Sequence, residues 1–541
     1  AMLWARACDF GHALARLAPA TPAVVAIMLP DGDELFAATI GAMLAGHLPA
    51  LLAAPTRKHP QEAFLGWFAA VLDDSAAQVV VAEAALADWL ASPAGPIPGD
   101  GPVLLRPPPR GAGAAWDPAE ASGEPVDPDR PALLQHSSGT TGLKKGIMLT
   151  HRQVLGQVWD LDRALELRPS DVIVSWLPLY HDMGLVACFL LPVLRGVPVV
   201  MMSALAWVQR PRMLLEQVAQ ERGTLTWLPN FALLHLARDA SPSDWLDLSS
   251  WRGVVSCSER ITADAVEAFY EAFAGWGLRY TALSSSYALA ESTFAVTQSV
   301  LGRGVARVTA SRELLALTGA VVPVGDDGPA DDRLTLVSSG RALPGCELVV
   351  VGEHGEPLAP GQVGRLRIRT PHLLRGYWAR RGARPVLDPE GWLDTGDSGV
   401  LLDGELYVLG RCDECLVVAG RNLWPDELEG VLGRLEGVCP GRVCVLGPYD
   451  PALGTARLVV LAEITHEGAA PEIAQRIRHH VQARYGVTIA DVRLSTARFL
   501  HKSTSGKMAR AANLRDYQRE RSRGEPAATP VDPETEPCPS T

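Results

Sequence analysis

Gln135-His-Ser-Ser-Gly-Thr-Thr-Gly-Leu-Lys-Lys-Gly146 holds three glycines, four hydroxyl side chains and two lysines. Upstream, Pro131-Ala-Leu-Leu reads as the end of a short strand. Downstream, Ile147-Met-Leu-Thr-His-Arg-Gln-Val leads into a helical pattern. Glycines let the backbone turn sharply and bring its N–H groups close to a ligand. Gly139 and Gly142 supply such turns, Ser137, Ser138, Thr140 and Thr141 add donors, and Lys144 or Lys145 adds positive charge. That inventory suits a polyphosphate. The spacing is not that of a Walker A loop, because Lys144 stands where that pattern requires a glycine. Taken alone, the stretch also reads as a polar surface turn.

Around this loop the chain alternates strand and helix. Residues 4–16 are expected as an amphipathic helix, 23–29 as a strand, 31–46 as a helix and 48–52 as a strand, with 61–74 and 78–91 continuing the pattern. Such alternation predicts βαβ units around a parallel sheet. The Pro/Gly/Ala-rich stretch 92–130 reads as a solvent loop. Strands are expected again at 171–177, 197–202, 224–228 and 253–256, then short alternating strands over 333–410. After Gly410 a compact piece follows, with helices at 425–436 and 470–485 and strands at 443–447 and 457–464. The expected fold is α/β: a large N-terminal domain (1–410) of βαβ subdomains with a β-rich subdomain at about 333–410, a small mobile α+β domain (411–518), and a disordered tail (519–541).

Composition narrows the function. With 541 residues, 48% hydrophobic and 20% charged, the chain is globular, and its net charge of -12 argues against nucleic acid as the main partner. The apolar run 185–202 contains Arg195, Gly196 and two prolines, so it reads as a buried helix and strand rather than a membrane span. No secretory leader pattern opens the chain, and a soluble, cytoplasmic protein with reduced cysteines is expected. Cys412-x-x-Cys415 with Cys439 and Cys444 is a loose match to a zinc site, and the first pair lies in an apolar run better explained below.

Further motifs follow in order: Trp176-Leu-Pro-Leu-Tyr-His-Asp-Met-Gly-Leu, Thr226-Trp-Leu-Pro-Asn-Phe-Ala, Trp251-Arg-Gly-Val-Val-Ser-Cys-Ser-Glu-Arg, Ser286-Tyr-Ala-Leu-Ala-Glu, Trp392-Leu-Asp-Thr-Gly-Asp, Gly410-Arg-Cys-Asp-Glu-Cys with Gly420-Arg-Asn-Leu-Trp-Pro-Asp-Glu-Leu-Glu, and His501-Lys-Ser-Thr-Ser-Gly-Lys. Each has a bland reading as a turn, cap or core segment. Together, over about 500 residues, they resemble the adenylate-forming enzymes, a family containing acyl-CoA synthetases and peptide-synthetase adenylation domains, and most of all its fatty acyl-AMP ligases.

The resemblance implies roles. Ser137, Ser138, Gly139, Thr140, Thr141, Gly142 and Lys145 would bind ATP phosphates, with Thr140 catalytic. Ser258, Glu259, Ser286, Tyr287 and Ala288 would wall the adenine, Tyr287 by stacking. Asp397 would hold the ribose hydroxyls, which suits a carboxylate acceptor, and Arg411 would lie near ribose and phosphate. Glu291 would help bind magnesium, which takes one or two carboxylates plus phosphate oxygens. His181, Asp182, Asn230 and Phe231 would border the acyl pocket, Asp413 would be the inter-domain hinge, and Lys507 the catalytic lysine. Two motifs depart from the family: Ser256, Cys257, Ser258 and Arg260 replace Asn, Gly, Ala and Pro, and Ala288 replaces Gly.

The implied reaction uses ATP and magnesium to convert a carboxylic acid to acyl-AMP. The acyl group then passes to the phosphopantetheine thiol of an acyl carrier protein, in polyketide or nonribosomal-peptide type biosynthesis. No α-amine-binding aspartate is evident, which disfavours an amino acid. Coenzyme A is the alternative acceptor: the family's coenzyme-A-rejecting insertion is not located here, and 352–364 is short for it. A non-catalytic nucleotide- or carrier-binding relative is a further alternative, motivated by the departures at 256–260 and 288. Fatty acyl-AMP ligases carry several dozen residues before the point matching residue 4, so the first strands of the large domain are expected to be absent or replaced.

Overall fold

The computed structural model describes residues 2–17, 22–55, 61–92, 95–97, 101–118, 126–136, 145–241, 245–325, 329–378, 386–418, 421–450, 455–502 and 507–523. The chain divides into two compact units: Ala1–Val305 with Ser339–Glu347 and Ile368–Leu393, and Ala306–Ser338 with Leu348–Arg367 and Asp394–Thr541.

In the first unit Val24–Met28 is buried at every position, as a strand covered on both faces must be. It lies between Leu48–Leu51 and Val79–Ala82 in a parallel sheet, with helices Asp33–Leu44 and Gln61–Ser75 as crossovers. The stretch 92–130 departs from the expected solvent loop. Val103–Leu105 adds a fourth parallel strand against Val79–Val81. Three residues are too few to show a period, and the pairing arises because the neighbouring strand offers an open edge. The next turn folds back as well: the N–H groups of Gly111 and Gly113 donate to the buried Asp9 carboxylate at 3.0 and 2.8 Å.

A second sheet has the order Arg341–Ala342, Ala295–Gln298, Leu283–Ala288, Gly253–Ser256, Leu225–Leu228, Ile173–Ser175, Val199–Met201. The last five strands run parallel, and the first two are antiparallel additions at one edge. Arg252 fastens two strand entrances together, its Nε and Nη2 donating to the two Asp171 oxygens at 2.7 and 2.5 Å. Asp171 also accepts from the Arg168 N–H and the Thr224 hydroxyl. Burial pushes the Asp171 carboxyl up, and Arg252 with the other donors outweighs this and holds it below the usual carboxylate range. Such a group contributes stability above its unfolded pKa and loses it as pH falls through the folded value. Asp171→Asn is therefore expected to cost about 1–3 kcal/mol at neutral pH and to shallow the acid limb. Urea unfolding from pH 7 to 3 measures both, and an acid limb as steep as the parent's would refute the assignment.

The glycine-rich stretch departs from the expected strand–loop–helix. Pro131–His136 and Gly146–Thr150 pair antiparallel, so the stretch is the loop of a hairpin. The helix begins only at His151. Thr150 and Gln153 form a reciprocal capping box at its start. Tyr377–Trp378 adds a third strand, with Tyr377 opposite Ile147 and Trp378 opposite Gly146.

The apolar run 185–202 is buried helix and strand, in an unexpected form. Met183–Leu190 is a π-helix, wholly buried, followed by the short α-helix Leu191–Arg195 and the strand Val199–Met201. A Cβ on Gly184 would stand 2.3 Å from the Pro178 carbonyl oxygen, so only glycine allows this approach. Among the described residues no helix is long and apolar enough to cross a membrane.

The second unit contains most of the four-stranded sheet Glu347–Val351, Gly364–Arg369, Leu393–Leu402, Glu405–Arg411, and the antiparallel pair Arg307–Ser311 with Arg333–Val337. Trp424 packs among Leu336, Val400, Tyr407 and Leu409, so the β-rich segment shares a core with residues beyond 410. A second sheet has the order Val438–Leu446, Leu458–Ile464, Ile489–Ser495. Its alternation is divided between two cores. Val443, Val445, Val460 and Ala462 face helices Pro425–Leu432 and Ala470–Tyr485, whereas Cys444, Leu446, Val459 and Leu461 meet Leu514 and Tyr517. Those last two belong to the helix Arg510–Arg523, which runs into the segment expected as a disordered tail. The correction has a physical reason: Tyr517, buried against that sheet face, orders a helix that is otherwise polar. Residues 524–541 lie outside the described residues.

Candidate active site

Ser137, Ser138, Gly139, Thr140, Thr141 and Gly142 lie outside the described residues, as does Lys144. What the structure places is the frame of their loop. Lys145 is exposed at the end of the hairpin, and its Nζ lies 4.5 Å from the centre of the Tyr377 ring. The Tyr377 hydroxyl donates to Glu291 Oε1 at 2.8 Å. Glu291 sits in the single-turn helix Ala290–Ser292, just past the strand Leu283–Ala288, and is half-buried. Its backbone carbonyl accepts the Leu374 N–H at 2.8 Å. Two residues on, Thr293 has a left-handed φ of 71° and donates its hydroxyl to the His372 carbonyl at 2.9 Å. The His372 ring in turn bonds Asp160 at 2.7 Å.

These contacts permit a test of magnesium. Glu291 Oε2 has no hydrogen-bond partner among the described residues, while Oε1 is held by Tyr377. One oriented carboxylate with an open oxygen fits a hard cation that takes its remaining ligands from phosphate and water. No group of three or more His, Cys, Asp or Glu among the described residues could hold a metal ion by itself. Cys412 and Cys415 are free thiols.

The neighbouring strand ends carry the other first-unit residues. The Ser286 hydroxyl donates to the Thr297 carbonyl at 2.7 Å, and the Tyr287 N–H donates to Thr297 Oγ1 at 3.0 Å. Tyr287 is buried, and Ala288 is partly exposed beside it. Ser258 adopts a left-handed φ of 73° and points its hydroxyl at Met183 Sδ, 3.7 Å away. Glu259 accepts the Phe231 N–H at 3.0 Å, which makes it a cap for the helix Asn230–Asp239. Asn230 is fixed by bonds to the Thr262 backbone and hydroxyl. Phe231 is 38% exposed and edge-on to Trp176 and Trp207, which stack 3.8 Å apart. Asp182 caps the π-helix by accepting the Met183 N–H, and His181 packs its ring on Tyr180. Burial pushes the Cys257 thiol up to about 12, so this replacement residue is an inert neighbour.

In the second unit Asp397 and Arg411 face each other across two antiparallel strands. Arg411 Nη1 donates to Asp397 Oδ1 at 3.2 Å and to the Thr395 carbonyl at 2.9 Å, and its Nε lies 3.4 Å from Asp413. Burial lowers the Arg411 pKa, but Asp397 and Asp413 more than compensate and the net shift is upward. Gly396 has φ +71°, and a Cβ there would stand 2.7 Å from Arg411 Nη2. The structure thus brings Asp397, Arg411 and Asp413 together. Lys507 stands beside Met508, which pairs with Lys502 in an isolated antiparallel bridge, and three residues before Arg510.

Sequence reasoning missed three features. Tyr377 lies in Arg375-Gly-Tyr-Trp, where a polar aromatic opposite the glycine-rich loop gives no local signal. Asp31 looks like a helix-starting acid. Instead burial pushes its carboxyl up to about 6, against a bond from the Leu179 N–H, within the 176–185 motif. Arg510 lies three residues past the end of the lysine motif and forms ion pairs with Glu414, Asp426 and Glu429.

A family model described as AMP-binding enzyme matches residues 1–378, and the chain belongs to that family. Among its relatives is a Caulobacter vibrioides protein provisionally named an acyl-CoA synthetase, 31% identical over 496 residues, covering 90% of this chain and 84% of that one. Another is the long-chain-fatty-acid–AMP ligase FadD26 of Mycobacterium marinum, 30% identical over 528 residues, covering 91% and 87%. A solved structure from work on fatty acyl-adenylate ligases of E. coli and L. pneumophila is similar with TM-score 0.84 and 27% identity, covering 97% of this chain and 92% of that one.

Proposed function

We propose that this chain is an acyl-adenylate-forming ligase that joins a carboxylic acid to AMP with release of pyrophosphate, then passes the acyl group to the phosphopantetheine thiol of an acyl carrier protein. The observation that carries it is the Glu291 carboxylate, held with one oxygen open among the described residues beside the frame of the glycine-rich loop. In this reading ATP phosphates lie on the loop 137–145 and the ribose hydroxyls meet Asp397. Lys507 sets a positive charge where the acid attacks the α-phosphate, so the catalysis is largely positioning and charge compensation. Magnesium, when bound at Glu291, neutralises phosphate charge. Asp413 is the pivot about which residues 411–518 turn to admit the thiol. The Trp176–Trp207 stack and Phe231 form one wall of an apolar acyl pocket. The reaction is placed in the cytoplasm, in polyketide or nonribosomal-peptide type biosynthesis.

The second reading is acyl transfer to coenzyme A, favoured by the shortness of 352–364 and by the name of the Caulobacter relative. Intact-mass spectrometry of a holo carrier protein and of coenzyme A, each incubated with enzyme, Mg·ATP and a mixed acid panel, separates them. Mass gain on the carrier alone is the expected result. Product on coenzyme A alone overturns the acceptor, and acid-independent silence in ATP–pyrophosphate exchange overturns catalysis altogether.

A further inference from the structure

Glu291 and the glycine-rich loop belong to different sheets, and something must hold their spacing if they act on one phosphate chain. Tyr377 touches both. Its hydroxyl is 2.8 Å from Glu291 Oε1, and its ring centre is 4.5 Å from Lys145 Nζ. Its backbone is paired opposite Ile147, next to the last glycine of the loop. The chain just before it grips the Glu291 turn twice more, through Leu374 N–H on the Glu291 carbonyl and the His372 carbonyl on Thr293.

We infer that Tyr377 is a positioning residue that sets the Glu291 carboxylate and the Lys145 end of the loop at a fixed separation for Mg·ATP. The phenol occupies Oε1 and so directs Oε2 toward the cation. The ring face gives the Lys145 ammonium a resting place that leaves its charge intact. Ordering both groups before the nucleotide arrives removes that cost from binding. The inference rests on the proposed magnesium role of Glu291, and its test keeps the two separable.

Tyr377→Phe keeps the ring and the strand and removes only the hydroxyl. Calorimetric titration of the full chain with ATP, with magnesium and with EDTA, is the measurement. The expected result is about tenfold weaker Mg·ATP binding, the scale of one hydrogen bond to a charged group, with magnesium-free binding unchanged. In a Glu291→Gln background the same substitution should then have no further effect, because the phenol acts through that carboxylate. Equal weakening with and without magnesium, or full additivity with Glu291→Gln, overturns the role of Tyr377. If Glu291→Gln itself binds Mg·ATP as the parent does, the metal assignment falls and the coupling falls with it. Tyr377→Leu, which also removes the ring, is expected to weaken magnesium-free ATP binding as well, and an unchanged value overturns the Lys145 half of the inference.

Discussion

Lys507→Ala is expected to lower acid-dependent ATP–pyrophosphate exchange by about 10²–10³-fold, the usual loss when a preorganised charge is removed from a developing anion. Thiol acylation from supplied acyl-adenylate should fall far less, since the α-phosphate bond has already been made. The position of the residue suits such a division. Lys507 stands three residues before the helix Arg510–Arg523, which is docked on the sheet of its own unit and forms its base. Comparing the two half-reactions in one preparation settles the matter. Equal losses in both would make Lys507 a structural residue and remove it from the chemistry.

The second large effect concerns that base. Arg510 is largely buried among Glu414, Asp426 and Glu429, and its Nη2 donates to Glu429 Oε2 at 2.7 Å. Three carboxylates around one guanidinium leave an excess of negative charge. Burial pushes the Glu429 carboxyl up to about 7, against the pull of Arg510. Taking Arg510 away leaves carboxylates buried without a cation, and breaking a buried pair costs roughly 3–5 kcal/mol. Arg510→Ala should therefore lower the unfolding midpoint of the chain by several degrees. The sign with pH is fixed as well. A carboxyl raised above its unfolded value contributes stability that is full below the unfolded pKa and lost as pH rises through about 7. The Arg510→Ala defect should accordingly be worse at pH 8 than at pH 6, and Glu429→Gln in the same chain should relieve part of it. A loss no larger than that from breaking the exposed Arg106–Asp88 pair would show that the cluster is unimportant.

Much of the first unit was legible because its strands are continuous apolar runs between helical periods, as at Val24–Met28 and Leu225–Leu228. Elements that depend on a partner were not. Gly146–Thr150 became a strand because Pro131–His136 and Tyr377 flank it, and the sequence 147–154 alone carries a helical signal that wins only from His151. Arg510–Arg523 is too charged to announce a buried face, which is supplied by Leu514 and Tyr517. At the site, motifs marked Glu291, Asp397, Arg411 and Lys507 by residue type. Contacts between residues far apart in sequence, such as Tyr377 with Glu291, leave no such mark. Nor could motif reading show that Glu259 is engaged as a helix cap, or that the Ser286 hydroxyl is spent on its neighbouring strand.

The π-helix Met183–Leu190 has a consequence for how this segment tolerates change. Its Leu191 N–H reaches back to the Val186 carbonyl, one residue farther than an α-helical bond would. The segment therefore contains a residue more than an α-helix of the same span needs. Deleting one residue there would let the backbone relax to ordinary α winding over the same span, with its two ends left near their present places. Point substitutions among these buried apolar residues change volume only, except at Gly184, where any Cβ would collide with the Pro178 carbonyl. Loss of a single residue from the wider turn would be absorbed within the run, so its length is under looser constraint than the identity of Gly184.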